Sequence, residues 1–273
     1  MTLRRRNDRP PGAKRAYQPL ARRRAEAARQ AEAGEWLWGW HAVTAALENP
    51  AREVGGRLFA TPERARALTE KARPPVDLQV LPSPAIGELL PAGAVHQGVA
   101  LNAPPLGPTA LADLASPATG ILIMLDQVTD PQNVGAIFRS AAAFGARGVI
   151  LQERHAPRLA GALAKAAAGA VDKVPHARET NLSRALERLE QFGWRAVGLD
   201  GEAPEALDAA LDGRPTVLVL GSEGEGLRRL VREHCDALAK IPMAGGFDSL
   251  NVAAAAAIAL YEARRALSMK AGR

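Results

Sequence analysis

The segment GILIMLDQV, residues 120–128, constrains the fold of this chain more than any other, because five apolar residues follow one another without a polar break. A strand with one face in water alternates apolar and polar residues, whereas a continuous apolar run is typical of a strand covered on both faces. Such strands occur in parallel sheets that carry helices on both sides. Residues 120–128 therefore predict a buried strand of an α/β protein.

Three further strand candidates follow, separated by helical stretches: ARGVIL at 146–151, WRAVGLD at 194–200 and TVLVLGS at 216–222. The repeated order of strand, helix and strand predicts a mostly parallel sheet. An alanine-rich helix from Ser249 to about Leu267 closes the chain. Its small side chains permit close approach of another helix, within the fold or across a dimer interface, although alanine is also the best helix former.

A smaller α/β domain is predicted before this sheet. Ordered sequence is expected to begin near Trp36 with a strand or turn, followed by a short helix at 41–47, and strands at 56–60 and 76–81 enclose a second helix. The proline-dense segment NAPPLGPTA indicates a linker. The predicted divisions are a basic, disordered tail at 1–34, a small domain at 35–101, a linker at 102–118 and a C-terminal domain at 119–273.

The positive charge of the chain is concentrated in its first 33 residues, which hold ten Lys or Arg and three Asp or Glu. The remaining residues hold 25 basic and 26 acidic side chains. Clustered arginines can neutralise phosphates, so the tail suits a nucleic-acid partner, and a merely solvated extension is an equally good interpretation. A third interpretation is a transit peptide, but such peptides are rich in serine and the first 33 residues contain none.

The sequence disfavours both a membrane protein and a metal-dependent protein. The chain has no apolar run of about 18 residues, the length that a membrane span needs. Cys235 is the only cysteine, and no His/Cys cluster has the spacing of metal ligands. We therefore expect a cytoplasmic protein in a reducing compartment, without a membrane partner or a bound metal.

Ligands of parallel α/β sheets bind beyond the carboxyl ends of the strands, and three strand ends here are unusual. The first, LDQVTDPQNVGAIFRS, places Asn133 at the start of a helix and Arg139 six residues later. That spacing does not put the two on one helical face, so their convergence requires Asn133 to lie in the preceding turn. The alternative, in which Asn133 caps the helix and Arg139 is solvated, is equally good.

The second strand end, TVLVLGSEGEGL, leads from a buried strand into three glycines around Glu223. Glycine permits positive φ angles and close approach of the backbone to a ligand. The order G-x-x-G-x-G and its late position differ from the dinucleotide-binding fingerprint. A phosphate cradle or a plain helix entry explains this loop nearly as well.

The third strand end, AKIPMAGGFDSLNVAAAAAIAL, places Ser249 and Asn251 at the start of an apolar helix. Polar side chains beside free helix N–H groups can hold the polar edge of a ligand. An apolar slot is offered by Ile241, Met243 and Leu250. Alternatively, Asp248 or Ser249 caps the helix and Asn251 is incidental.

Together and in this order, the three segments resemble the motifs of the SpoU family of the SPOUT RNA methyltransferases, over residues 119–273. Upstream, the G-x-H-A-V start at Gly39 and the string HQGVA at 96–100 resemble the substrate-binding domain of the family's 23S ribosomal RNA guanosine 2′-O-methyltransferases. That domain is similar to ribosomal protein L30e. The resemblance favours the ribosomal RNA enzymes over the shorter transfer RNA enzymes.

The resemblance implies S-adenosylmethionine-dependent 2′-O-ribose methylation of RNA, with a guanosine of 23S ribosomal RNA as the favoured target. It also implies a trefoil knot in the C-terminal parallel-sheet domain, a rare exception among unknotted folds, and a homodimer with its active site near the subunit interface. The cofactor is expected to be held mainly by backbone groups. Its implied contacts are Leu220, Gly221, Gly224, Ile241, Met243 and Leu250.

The resemblance implies five catalytic positions: Arg139, Asn133, Glu223, Ser249 and Asn251. A ribose 2′-oxygen must lose its proton while it is held in line with the sulfonium methyl. The family gives this task to the arginine, here Arg139. Because arginine is effectively always protonated, stabilisation of a developing alkoxide would fit the same residue. The other four are expected to orient Arg139, the ribose and the cofactor.

Other functions compete with this one. A SpoU enzyme acting on transfer RNA is disfavoured by the N-terminal domain, and a non-catalytic RNA-binding assembly factor is disfavoured by the intact polar positions. A nucleotide-dependent dehydrogenase is disfavoured because this sequence lacks the early glycine fingerprint of such enzymes and its acidic partner. Trp36, Trp38 and Trp40 offer rings for stacking on bases, but packing is the favoured interpretation.

Overall fold

Two β-sheets organise the part of the chain that the computed structural model describes, residues 34–52, 56–71, 76–245 and 249–271. The predicted basic tail lies, apart from Gly34, outside the described residues. Residues Glu35–Arg273 belong to one compact unit. The division of this unit into domains stays a prediction.

The smaller sheet has four strands in the order β1-β4-β2-β3. Its strands are β1 (Glu35–Trp38), β2 (Arg57–Ala60), β3 (Asp77–Val80) and β4 (Val99–Ala103), and its helices are α1 (Trp40–Glu48), α2 (Pro62–Lys71) and α3 (Ser83–Glu88). β4 is antiparallel to β1 and β2, whereas β2 and β3 are parallel. The elements predicted between Trp36 and residue 81 are confirmed, whereas α3 and β4 were missed.

The tryptophans at the start of this sheet pack against its core. Trp38 is buried beside Phe59 and Ile86, and the ring of Trp36 lies 5.8 Å from that of Phe59. Trp40, on α1, packs against the apolar cluster on the other face. The packing interpretation is therefore confirmed for this cluster.

The larger sheet has seven strands in the order β7-β6-β5-β10-β8-β11-β9, and every pairing between its described strands is parallel. Its strands are β5 (Ile121–Leu125), β6 (Gly148–Gln152), β7 (His176–Glu179), β8 (Arg195–Leu199), β9 (Glu205–Ala206), β10 (Thr216–Leu220) and β11 (Ala237–Lys240). The predicted parallel α/β sheet is confirmed.

Helices cover both faces of the larger sheet. One face carries α5 (Pro131–Ala143), α6 (Gly161–Ala167), α8 (Leu207–Ala210) and α10 (Val252–Ala271); the other carries α4 (Leu111–Ala115), α7 (Leu182–Gln191) and α9 (Arg229–Glu233). Along β5, Ile123 and Leu125 join the first apolar layer, whereas Leu122 and Met124 join the second. Burying each such side chain contributes about 2 kcal/mol, which explains the continuous apolar run.

A buried ion pair joins the two sheets. Arg52 follows α1, and its Nε lies 2.8 Å from Oδ1 of Asp172 in a 3-10 helix of the larger half (Ala170–Asp172). The two side chains are 3% and 2% exposed. Asn49 donates to the same carboxylate, and Arg52 also donates to the carbonyl oxygen of Pro104. These contacts satisfy both buried charges and fix the smaller sheet against the larger one.

His176, the first residue of β7, lies near this ion pair. Burial lowers the pKa of His176 to about 4, and the charges of Arg178 and Arg52 act in the same direction. Asp172 opposes them more weakly. The folded protein therefore holds this imidazole neutral at pH values where an exposed histidine is protonated.

Lowering the pH from 6.5 to 4 is expected to destabilise the fold by up to about 3 kcal/mol through His176. In this window the unfolded chain binds a proton on the imidazole that the folded chain does not, so the contribution is complete above pH 6.5 and lost as the pH falls towards 4. Chemical denaturation at several pH values measures it. His176→Phe should flatten the profile, and equal slopes in both proteins would contradict the assignment.

No helix within the described residues combines the length and the apolar composition that a membrane crossing requires.

Candidate active site

Asn133 lies in the first turn of α5. The residue that caps this helix is Asp130, whose carboxylate accepts the N–H of Asn133 at 2.9 Å, and Pro131 occupies the first helical position. The interpretation of Asn133 as the cap, or as part of the preceding turn, is therefore wrong, because a carboxylate three residues earlier takes that role. The Asn133 amide is thereby free to project from the first turn.

The glycine-containing loop after β10 is narrow and closed at its base. Ser222 N–H donates to Gly226 O at 3.2 Å, and Gly226 N–H donates to Ser222 O at 3.1 Å. A Cβ atom on Gly221 would lie 2.1 Å from the carbonyl carbon of Gly226, so no larger residue fits there. Gly224 and Gly226 have φ angles of 95° and 67°. The glycines thus permit a tight loop that carries Glu223 between its two paired ends.

An ion pair holds this loop against β5. Asp126, which directly follows β5, is fully buried, and its Oδ2 accepts the backbone N–H of Arg228 at 2.9 Å. Its Oδ1 accepts Nε of the same arginine at 2.7 Å. Asp126 N–H in turn donates to the carbonyl oxygen of Leu220. Both ends of the loop are therefore tied to the end of β5.

Asp126→Ala is expected to lower the free energy of unfolding by about 2 kcal/mol. Breaking a fully buried ion pair costs roughly 3–5 kcal/mol, and the expected loss is smaller because the Arg228 side chain is 39% exposed. Urea denaturation measures this change. The exposed pair Arg229–Glu233 supplies the control, since Glu233→Ala should change stability little; equal effects of the two substitutions would contradict the role of Asp126.

Asn251 caps the closing helix, α10. Its Oδ1 accepts the N–H groups of Ala253 and Ala254 at 3.0 and 3.3 Å, so the helix begins at Val252 and not at Ser249 as predicted. The alternative in which Asn251 is incidental is wrong for the same reason. Asp248, the other proposed cap, lies outside the described residues.

Three distant stretches of the chain meet at one carboxylate oxygen, in a group that we call the polar junction: Asn133, Glu223 and Asn251. Glu223 Oε1 accepts Nδ2 of Asn133 at 3.1 Å and Nδ2 of Asn251 at 2.9 Å. It also accepts the N–H of Val252 at 3.2 Å. Asn251 Nδ2 donates to Asn133 Oδ1 at 2.9 Å. A carboxylate that binds a helix N-terminus and two amides fixes all three side chains.

The two other predicted catalytic residues lie outside this junction. Arg139 is exposed on α5, and its side chain makes no hydrogen bond or ion pair with another described residue. Six residues of α-helix separate it from Asn133 by a rotation of about 240°, so the two project from different faces. Ser249 is exposed and likewise has no hydrogen bond to the described part of the chain.

The predicted cofactor contacts fall into two sets. Gly221 and Gly224 lie in the loop, whereas Leu220 is the last residue of β10, is 1% exposed, and accepts the N–H of Asp126 through its carbonyl oxygen. Ile241 is partly buried against the same core, whereas Met243 and Leu250 are 36% and 40% exposed. A tight backbone loop together with solvent-facing apolar side chains suits a ligand with one polar and one apolar part.

Sequence reasoning missed Asp126, Arg228 and Asp130, which position the loop and the helix. An acidic residue directly after a fully apolar strand was the available signal for Asp126, since such a group needs a partner when buried. In the described part of the chain, no three His, Cys, Asp or Glu side chains are grouped so that they could hold a metal ion.

Comparison with known proteins agrees with this architecture. The model of the SpoU rRNA methylase family matches residues 120–261. A protein of Mycolicibacterium vanbaalenii named as an uncharacterized tRNA/rRNA methyltransferase is 37% identical, over 94% of this chain and 86% of its own length.

Solved structures match to different extents. An AdoMet-bound rRNA methyltransferase from Sinorhizobium meliloti superposes with a TM-score of 0.72 and 26% identity, over 89% of this chain and 91% of that chain. A TrmH/SpoU tRNA modifying enzyme of A. aeolicus has a TM-score of 0.51 and 25% identity, over 59% of this chain and 84% of its own.

The parallel sheet and the junction at its carboxyl edge define an α/β protein whose candidate ligand site lies among the loops after its strands. With the family model matching half of the chain and a relative matching nearly all of it, the chain belongs to the SpoU rRNA methylase family.

Proposed function

We propose that this protein methylates a ribose 2′-hydroxyl of RNA, and that its target is a guanosine of 23S ribosomal RNA. Membership of the SpoU family makes it an S-adenosylmethionine-dependent RNA methyltransferase. The observation that carries the proposal is the polar junction, in which Glu223 Oε1 joins Asn133 and Asn251 beside the glycine loop. The assignment of a guanosine, and of 23S ribosomal RNA as the molecule that carries it, rests on the family resemblance.

The residues of the loop and of the third strand end fit S-adenosylmethionine. The bound cofactor supplies an electrophilic methyl group on a positively charged sulfur. Gly224 faces open space and Gly221 lets the loop close against Gly226, whereas Met243 and Leu250 offer apolar surface to the adenosine part. We propose that these residues, with Ile241 and Leu220, hold the cofactor.

Side chains of this protein would position the ribose and the cofactor and stabilise the charge that develops on the 2′-oxygen. Glu223 keeps Asn133 and Asn251 in fixed orientations, so that they can position the ribose and the cofactor. Arg139 would stabilise negative charge on the attacking 2′-oxygen, whose proton leaves to solvent or to a substrate phosphate. Ser249, exposed one residue before Leu250, would complete the polar edge of the site.

A homodimer brings Arg139 to the site of the partner protomer. On its own helix this residue projects from a different face than Asn133, and its side chain makes no hydrogen bond to the polar junction. The adjacent helix α10 exposes Ile258 and Tyr261, and the Tyr261 ring packs edge-on against Phe144 at the end of α5. An exposed apolar stripe on α10 is suited to association with a second copy, which would place α5 of one protomer beside the other.

Ribosomal RNA is favoured over transfer RNA by the extent of the structural matches. The rRNA methyltransferase of Sinorhizobium meliloti covers 89% of this chain, so its match extends into the smaller sheet. The match to the tRNA modifying enzyme covers 59% of this chain, which is too little to include both sheets.

Three further features stay predictions from the resemblance. They are an L30e-like substrate-binding domain at 35–101, a trefoil knot within 119–273 and a cytoplasmic location.

Methyl transfer from labelled S-adenosylmethionine tests the proposal. The full-length protein should label naked 23S ribosomal RNA and leave bulk transfer RNA unlabelled, and mass spectrometry of nuclease fragments should place the methyl group on a guanosine 2′-oxygen. Labelling of transfer RNA alone would overturn the choice of substrate. Methylation of a base would overturn the reaction.

A further inference from the structure

A cavity lies in the smaller sheet, away from the polar junction. We call it the HQG cavity, because the turn formed by His96, Gln97 and Gly98 forms one wall; its opposite walls come from the start of α2 and the start of α3. Its volume is about 570 Å³. The other polar side chains that line it are Thr61, Glu63, Arg64 and Ser83. Ligand sites typically have volumes of about 300–1,000 Å³, so one small molecule or one nucleobase fits.

The guanidinium group of Arg64 is held in place before any ligand binds. It lies 4.7 Å from the centroid of the Trp40 ring, and its Nε donates to the carbonyl oxygen of Gln97 at 3.2 Å. The terminal nitrogens of this guanidinium are not used by these two contacts. A planar cation fixed in this way can donate in-plane hydrogen bonds from its terminal nitrogens to the edge of a base.

Glu63 lines the same cavity without pairing with Arg64. Its carboxylate makes no hydrogen bond or ion pair with any described residue, although the arginine is its neighbour in sequence. One carboxylate and one guanidinium leave the cavity close to neutral. A phosphate would gain little there, whereas a neutral base with both donors and acceptors could satisfy both groups.

His96 adds a donor of defined position. Its Nδ1 accepts the N–H of Gly98 at 3.2 Å, so the neutral imidazole carries its proton on Nε2. The turn itself is anchored to the larger half, because Gln97 Oε1 accepts Nζ of Lys165 on α6 at 2.7 Å. This hydrogen bond links the cavity to α6, which packs against α5, the helix that carries Arg139.

We propose that the HQG cavity binds one unstacked nucleobase of the RNA substrate, and that guanine is the base it prefers. Guanine presents adjacent N1–H and N2–H donors that match the two oxygens of Glu63, and O6 and N7 acceptors that match Arg64 and His96. Adenine and cytosine lack the paired donors. The proposal rests on the proposed function, since it takes RNA as the substrate.

Nuclear magnetic resonance titration of the full-length protein with GMP, AMP, CMP, UMP and inorganic phosphate tests the cavity directly. GMP should shift the exposed methyl groups of Val95, which lines the cavity, and the ring signals of His96 more than the other nucleotides do. Inorganic phosphate should leave them unchanged. Equal shifts with phosphate, or no shift with GMP, would overturn the proposal.

A variant tests the same cavity during turnover. Glu63→Gln removes a charged acceptor and should raise the KM for RNA about tenfold or more, while kcat at saturating RNA stays unchanged. Glu70→Gln, on the same helix but outside the cavity, is the matched control. Equal KM values for the two variants would overturn the base-binding role. If the unaltered protein transfers no methyl group to RNA, the proposed function fails, whereas the GMP titration still decides whether the cavity binds a base.

Discussion

Glu223→Ala is expected to lower kcat/KM for RNA methylation by about a hundredfold or more. The substitution removes the one oxygen that accepts Asn133 Nδ2, Asn251 Nδ2 and the N–H of Val252. Without it, the first turn of α5, the glycine loop and the start of α10 lose their common anchor. Since in-line transfer depends on positions held to a fraction of an ångström, small displacements of the two asparagines suffice to slow it.

The same loop supplies the control for this prediction. Glu225 is exposed two residues later, outside the polar junction, so Glu225→Ala should retain nearly full activity. Glu223→Gln keeps a carbonyl oxygen that can accept the two asparagine amides, and it should fall between the alanine variant and the unaltered protein. Steady-state kinetics with labelled cofactor, together with thermal denaturation of each variant, measures both effects. A Glu223→Ala enzyme with unchanged kcat/KM would refute the anchoring role.

The convergence of the three strand ends could be predicted from sequence, because the carboxyl ends of parallel strands share one edge of a sheet. β5 and β10 are direct neighbours, which brings the helix of Asn133 beside the loop of Glu223. The continuous apolar runs of β5 and β10 identify both as buried strands from local sequence alone. Asn133 and Glu223 do meet Asn251, whereas Arg139 and Ser249 lie outside this junction, and the catalytic roles of all five stay predictions.

The contacts that lock the site could not be predicted in the same way. Asp126 and Arg228 are 102 residues apart, and only the order of the strands makes them neighbours. Helix starts were misplaced for a related reason, since Asp130 and Asn251 are each one of several polar residues able to cap. β7 was missed because it is a short edge strand with polar residues, and its sequence HARE has neither an apolar run nor a clean alternation.

Arg139→Ala is expected to lower kcat about a thousandfold while leaving the fold intact. The side chain is exposed and makes no hydrogen bond or ion pair with another described residue, so thermal stability should match that of the unaltered protein. Arg184→Ala, an exposed arginine on α7 at the opposite face of the sheet, is the control and should be fully active. Single-turnover methylation separates the chemical step from RNA binding. A variant with normal single-turnover rates would remove Arg139 from the reaction.

If the proposed homodimer forms, mixed dimers decide which protomer supplies Arg139. If the arginine acts in its own chain, a dimer of one Arg139→Ala protomer and one Glu223→Ala protomer has a defect in each site and stays as slow as the variants. If it acts across the interface, one site of that dimer combines an intact Glu223 with the partner protomer's intact arginine. The rotation of about 240° between Asn133 and Arg139 on α5 favours the second arrangement. Refolding or co-expressing the two impaired variants together should therefore raise methyl transfer well above the rate of either variant alone. Failure to restore activity in a verified mixed dimer would place the arginine in the site of its own chain.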